Sequence, residues 1–183
     1  MNNRDGTLQI RPSKFTDKDT LMKMVNEVYG SCEAHMWIAN HERLTEERFN
    51  SYHKNQDEEL FVAEICGTEI VGCVGMSNIE GDGKELSTLV VRPDCRGRGI
   101  GRQLVDHVVN KSRRDKCDYV QLLLLYPTHQ PDPWKQTLKK WYNRLGFQFV
   151  KNDDFALYCP TTADLKQEVT LSIFKKSLKE NTL

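Results

Sequence analysis

No stretch of the 183-residue chain is apolar for long enough to span a bilayer, so a membrane helix is excluded. Neither sign of charge is in excess: Lys+Arg and Asp+Glu are 26 each, so no basic field points to nucleic acid as the partner. None of the six cysteines stands in a Cys-x-x-Cys pair, and no His/Cys/Asp cluster has the spacing of a metal site. The first residues lack a secretory pattern, so the cysteines are expected to be reduced thiols of a cytoplasmic protein, with the nucleus also open to it. Repeats, linkers and low-complexity segments are missing too. The chain therefore reads as one domain over residues 1–183 with a core over about 7–175.

What is present is a loop of alternating glycines, Arg96-Gly97-Arg98-Gly99-Ile100-Gly101. It lies between a strand-like run ending at Val91 and a helix-like run. Glycine loses backbone entropy and buries nothing, so packing does not account for these three. They do allow successive N–H groups to converge on one point, and a helix N-terminus adds its positive dipole end. Arg96 and Arg102 flank the loop with donors suited to phosphate, while Arg98 inside it is expected nearer solvent. The combination predicts a pyrophosphate site. It is not a dinucleotide fingerprint, because Arg102 stands where the third glycine belongs. Nor is it a P-loop, because Arg102-Gln103 replaces the required lysine and hydroxyl residue.

The remaining elements alternate in type. Leu8–Arg11 reads as a strand; Thr16 is placed to cap a helix carrying Leu21, Met24, Val25 and Val28, which Gly30 should end. Thr45 should cap a second helix to about Lys54. Leu60–Ile65 and Ile70–Met76 read as strands joined by a turn at Cys66-Gly67-Thr68, followed by a strand over Glu85–Val91. After the glycines, Ile100, Leu104, Val105, Val108 and Val109 share one helix face. Tyr119–Tyr126 reads as a buried strand. Asp132 and Pro133 open a helix with Trp134, Leu138, Trp141, Tyr142 and Leu145 at helical spacing, and Gly146 closes it. Gln148–Val150 and Val169–Lys175 read as the last strands, and the latter is free in principle to pair across a homodimer.

The string Leu89-Val90-Val91-Arg92-Pro93-Asp94-Cys95-Arg96-Gly97-Arg98-Gly99-Ile100-Gly101 resembles the coenzyme A signature of the GNAT N-acetyltransferases. Trp141-Tyr142-Asn143-Arg144-Leu145-Gly146-Phe147 is similar to the family's late helix and the turn after it. The resemblance implies an α/β fold with a mixed sheet of about seven strands and helices on both faces. It implies acetyl-CoA as co-substrate, no metal, and an amine acceptor, expected to be a small molecule. The alternatives are a lysine or α-amine of a protein, and a non-catalytic acyl-CoA sensor. Carried over residue by residue, Leu89, Val90 and Val91 would hold the pantetheine arm with backbone groups. Arg96, Gly97, Arg98, Gly99, Ile100, Gly101 and Arg102 would hold the pyrophosphate.

The same resemblance makes Tyr142 the acid that protonates the departing sulfur and Glu85 the base that takes the amine proton. Each has a plainer reading, Tyr142 as a core residue and Glu85 as a solvated charge beside Lys84. Cys95 suggests an acetyl-cysteine route, but the family transfers directly in a ternary complex. The segment Cys32–His41, with His35, Trp37 and His41, is expected to line the acceptor side. The proline-rich loop Tyr126–Pro133 lacks the asparagine common in the family at this point.

Overall fold

The computed structural model describes residues 7–39, 41–159 and 162–179. Asn40 of the expected acceptor segment, and the ends of the 1–183 domain, lie outside them. Seven strands form one mixed sheet in the order β1-β2-β3-β4-β5-β7-β6. They are β1 (Leu8–Pro12), β2 (Glu58–Ile65), β3 (Glu69–Ile79), β4 (Gly83–Val91), β5 (Tyr119–Pro127), β6 (Gln148–Asp153) and β7 (Val169–Ser177). The helices are α1 (Lys18–Glu33), α2 (Glu46–Lys54), α3 (Ile100–Arg114) and α4 (Pro133–Arg144). One sheet face is covered by α1 and α2, through Leu21, Val25, Phe49 and Tyr52 against Leu60, Val62, Cys73 and Val90. The other is covered by α3 and α4, through Leu104, Val108, Tyr142 and Leu145 against Val74, Leu86, Leu122 and Phe174.

Local signals fixed most element ends. Thr45 Oγ1 accepts the Arg48 N–H at 3.1 Å at the start of α2, and the Asp132 carboxylate accepts the Lys135 N–H at 2.9 Å at the start of α4. Two expectations for α1 fail. Its N-cap position is taken by Asp17, not Thr16, after a short 3-10 turn over Phe15–Asp17. The Asp17 carboxylate is fixed there by the Lys14 N–H and by the Arg11 guanidinium, at 2.8 and 2.7 Å. Gly30 does not end α1, which continues to Glu33. Nothing crowds Gly30, and the extra turn carries Glu33 to a buried ion pair with Lys135 of α4.

The expected apolar stripe of α4 is out of phase at its start. Trp134 is exposed, under the Arg96 guanidinium at 5.2 Å, and Lys135 is buried in its place. Leu138, Trp141, Tyr142 and Leu145 face the core as expected, and Lys135 is buried one turn before them. The last strand does not offer an edge for a second copy, because β7 lies between β5 and β6. The sheet edges are β1 and β6. Among the described residues no two cysteines form a disulfide. No helix among the described residues is long and apolar enough to cross a membrane.

Candidate active site

The sheet is open in its middle. β4 and β5 pair in parallel only over Gly83–Leu86 and Tyr119–Leu122, then part, although β4 continues to Val91 and β5 to Pro127. Arg92 N–H donates to Val71 on β3, while the Val91 carbonyl turns the other way and accepts from Arg96 Nε at 3.3 Å. A strand residue directs its N–H and C=O to the same side, and the side alternates. Leu89 and Val91 therefore direct their amides into the gap, whereas Val90 faces β3 and buries its side chain.

Strain marks the same stretch. The β3–β4 register shifts between Cys73 and Gly75, opposite Ser87–Val90, and the buried Thr88 sits at φ +47°. A β-branched residue rarely adopts that conformation. The surroundings hold it: Tyr52 Oη is 3.0 Å from Thr88 Oγ1 and 3.2 Å from Ser87 Oγ. Gly75 makes room for this arrangement, since a Cβ there would come within 2.5 Å of Tyr52 Oη and 2.7 Å of Ser87 Oγ. Gly75→Ala is expected to destabilise the fold by about 1–3 kcal/mol and to reduce turnover by disturbing the bulge. Thermal unfolding and initial rates check both, and an unchanged midpoint would show that Tyr52 yields without cost.

The glycine loop opens directly beyond this strand. Gly97 and Gly99 have φ of +78° and +77°, and a Cβ at either would meet nothing within 4 Å. Their conformation, not crowding, calls for glycine, and the side they present is open. α3 starts at Ile100, so the first N–H groups of the helix have no partner within it. The Ile100 side chain is buried in the core, so only its backbone is available to a ligand. Gly101 packs in ordinary contact with Trp141 and Val91. Arg98 is exposed, and Arg102 lies along the helix 3.5 Å from Asp106. Cys95 is buried, out of reach of a substrate, with its sulfur accepting from Arg92 Nη2 at 3.6 Å.

Tyr142 and Glu85 lie on opposite faces of the sheet, Tyr142 in the α3/α4 core and Glu85 on the side of Arg43 and Arg48. The Tyr142 ring packs edge-on against Phe147 within the α3/α4 core. Burial pushes its phenol well above the usual tyrosine range, and Tyr29 from the α1 side pushes in the same direction. Tyr29 itself is pushed up to about 12, by burial first. Among the described residues the Tyr142 hydroxyl has no hydrogen-bond partner, and no fully enclosed side-chain polar atom is left unpaired. That hydroxyl is thus a protonated donor reaching accessible space, not a satisfied core group.

Glu85 is not the solvated charge that its neighbour Lys84 suggested. Lys84 turns to Asn78 and to Asp115 at 3.4 Å, while Glu85 accepts from Gln121 Nε2 of β5 at 3.3 Å. Burial raises the Glu85 carboxyl above its usual value, with Gln121, Arg48 and Arg43 acting against the rise. The expected acceptor segment lies nearby. Trp37 is buried as an anchor, stacked on His41 with centroids 3.8 Å apart, and His35 Nε2 is 3.1 Å from the Asp132 carboxylate. Tyr29, Arg43, Arg48 and Gln121 complete the surroundings and escaped sequence reasoning. Their roles depend on strand register and loop placement, for which no local motif exists.

The acetyltransferase (GNAT) domain family matches residues 56–149, just over half of the chain, from the start of β2 through the Leu-Gly-Phe turn. The chain belongs to this family of acyltransferases. Among curated proteins no sequence matches it. Solved structures agree on the fold. A GNAT acetyltransferase from Staphylococcus aureus Mu50 superposes with a TM-score of 0.68 at 17% identity, over 94% of this chain and 100% of that one. The ribosomal-protein-S18-alanine N-acetyltransferase of Escherichia coli gives 0.64 and 17%, over 97% and 99%. An acetyltransferase from Salmonella typhimurium, solved with its cofactor acetyl-CoA, gives 0.66 and 17%, over 96% and 96%.

Proposed function

We propose that this protein, as a single catalytic domain, transfers an acetyl group from acetyl-CoA to the amine of a small molecule by direct attack in a ternary complex. The observation that carries the reading is the parting of β4 and β5 immediately ahead of a helix N-terminus opened by two left-handed glycines. A pantetheine-like arm needs a strand with free amides, and a pyrophosphate needs converging N–H groups; here the two are consecutive in the chain. Leu89 and Val91 would bind the arm with their amides, and Gly97, Gly99 and the first N–H groups of α3 would bind the pyrophosphate. Arg96, Arg98 and Arg102 supply positive charge around them. When bound, acetyl-CoA supplies the activated thioester.

The rest of the chemistry belongs to side chains. A free amine is mostly protonated near neutral pH, and Glu85 accepts its proton, directly or through water. Tyr142 donates to the sulfur as it departs, and its raised proton affinity keeps it protonated throughout the working range. Because burial raises Glu85, more of it is protonated at a given pH than of an ordinary glutamate. The rate should therefore fall on acidification through a midpoint above 4.5, the ordinary value. Glu85→Gln should remove that acid limb and slow turnover about a hundredfold. An unchanged profile would remove Glu85 as the base. The function itself is tested by a thiol-release screen over small amines and peptides. Release with small amines supports the reading, and release with peptides alone would assign a protein acceptor.

A further inference from the structure

The acceptor side of the gap has one cation, Arg43, without an ion-pair partner at contact distance among the described residues. Two cavities, about 160 and 680 Å³, share Trp37, His41 and Arg43 in their walls. Most charges around them are committed. Arg48 is held by both Glu58 oxygens at 2.8 Å, and Lys166 donates to the Ala34 carbonyl at 3.0 Å. Among the described residues lining the smaller cavity, Glu33 is the only acid. Its carboxylate is already taken by Lys135 and by Trp37 Nε1.

Arg43 is different. Among the described residues it has no ion-pair partner at contact distance, Glu33 and Glu85 acting on it only from farther off; its guanidinium lies 5.0 Å from the centroid of the Tyr29 ring. Besides its interaction with Tyr29, the guanidinium retains edge donors in a fork that matches a carboxylate. It also stands close enough to Glu85 to act on that carboxyl. Of these two cavities only the larger is lined by Glu42, Glu47 and Asp164, so an anion is disfavoured there relative to the smaller one.

We infer that Arg43 binds an anionic group of the acceptor, so that the substrate is a small amine also bearing a carboxylate, of amino-acid size and kind. The inference rests on the acetyl-transfer reading and names its substrate class. Arg43 fixes the carboxylate in the smaller cavity and leaves the amine toward Glu85. It is a specificity residue and takes no part in proton transfer.

The test compares free amino acids with their C-terminal amides, in the wild type and in Arg43→Ala and Arg43→Lys. The wild type should favour acids over amides about tenfold or more in kcat/KM. Arg43→Ala should erase that preference by raising the acceptor KM, with the acetyl-CoA KM and the unfolding midpoint unchanged, and Arg43→Lys should restore part of it. Titration of the coenzyme A complex with the preferred amino acid should give heat that Arg43→Ala abolishes. Amides used as well as acids, or a preference surviving Arg43→Ala, overturns the inference. So does acetyl-CoA binding with thiol release from peptides or from no amino acid tested, which leaves the coenzyme reading standing. Failure to bind acetyl-CoA removes that reading itself, and the inference with it.

Discussion

Gly99→Asp is expected to abolish acetyl-CoA binding while leaving the protein folded. The residue sits at φ +77°, where a side chain costs about 1–2 kcal/mol, and aspartate tolerates that region better than most. A Cβ there meets nothing within 4 Å, so no neighbour has to move. The effect should therefore fall on the ligand and not on the fold. The new carboxylate would stand where the first N–H groups of α3 converge, repelling a pyrophosphate by charge and by bulk. Gly99→Asn separates the two, since it has the same shape without the charge and should retain part of the affinity. Calorimetry beside thermal unfolding reads both. Normal affinity in Gly99→Asp would dismiss the loop as the anion site.

Tyr142→Phe is the second large effect expected: a fall in kcat of at least about tenfold, with the acetyl-CoA KM nearly unchanged. The ring would still pack against Phe147 and Trp141, and the lost hydroxyl has no partner among the described residues. Stability should change little, so a drop in rate reports chemistry. The direction of the phenol's shift adds a further expectation. Tyr142 ionises above the usual tyrosine range, so any fall in rate on the alkaline side below that range is not due to Tyr142. Unimpaired turnover in the variant would assign Tyr142 to the core alone.

The parts of this site that were legible in the sequence are those built by neighbours in the chain. An anion site at a helix start needs only a few consecutive residues, and Arg96–Gly101 carries all of them. Caps at Thr45 and Asp132 are local for the same reason. Glu85 was named, but its half-buried state could not be read, because it depends on Gln121 standing opposite in β5. α1 outran Gly30 because a contact 102 residues away, Glu33 with Lys135, outweighs a local stop. That pair also explains the phase of α4: a lysine on a core face looks like an error until its partner is known. Tyr29 and Arg43 lie on a helix and a loop whose approach to the gap no periodicity encodes. The acceptor side is therefore the least legible region, while the coenzyme side is the most.

The central claim is that the gap between β4 and β5 and the glycine loop after it form one coenzyme A site. Calorimetric titration of the purified protein with acetyl-CoA, with NADH as the control, tests it most directly. Micromolar binding of acetyl-CoA and none of NADH is the predicted result. No heat with acetyl-CoA, or equal binding of the two, would contradict it.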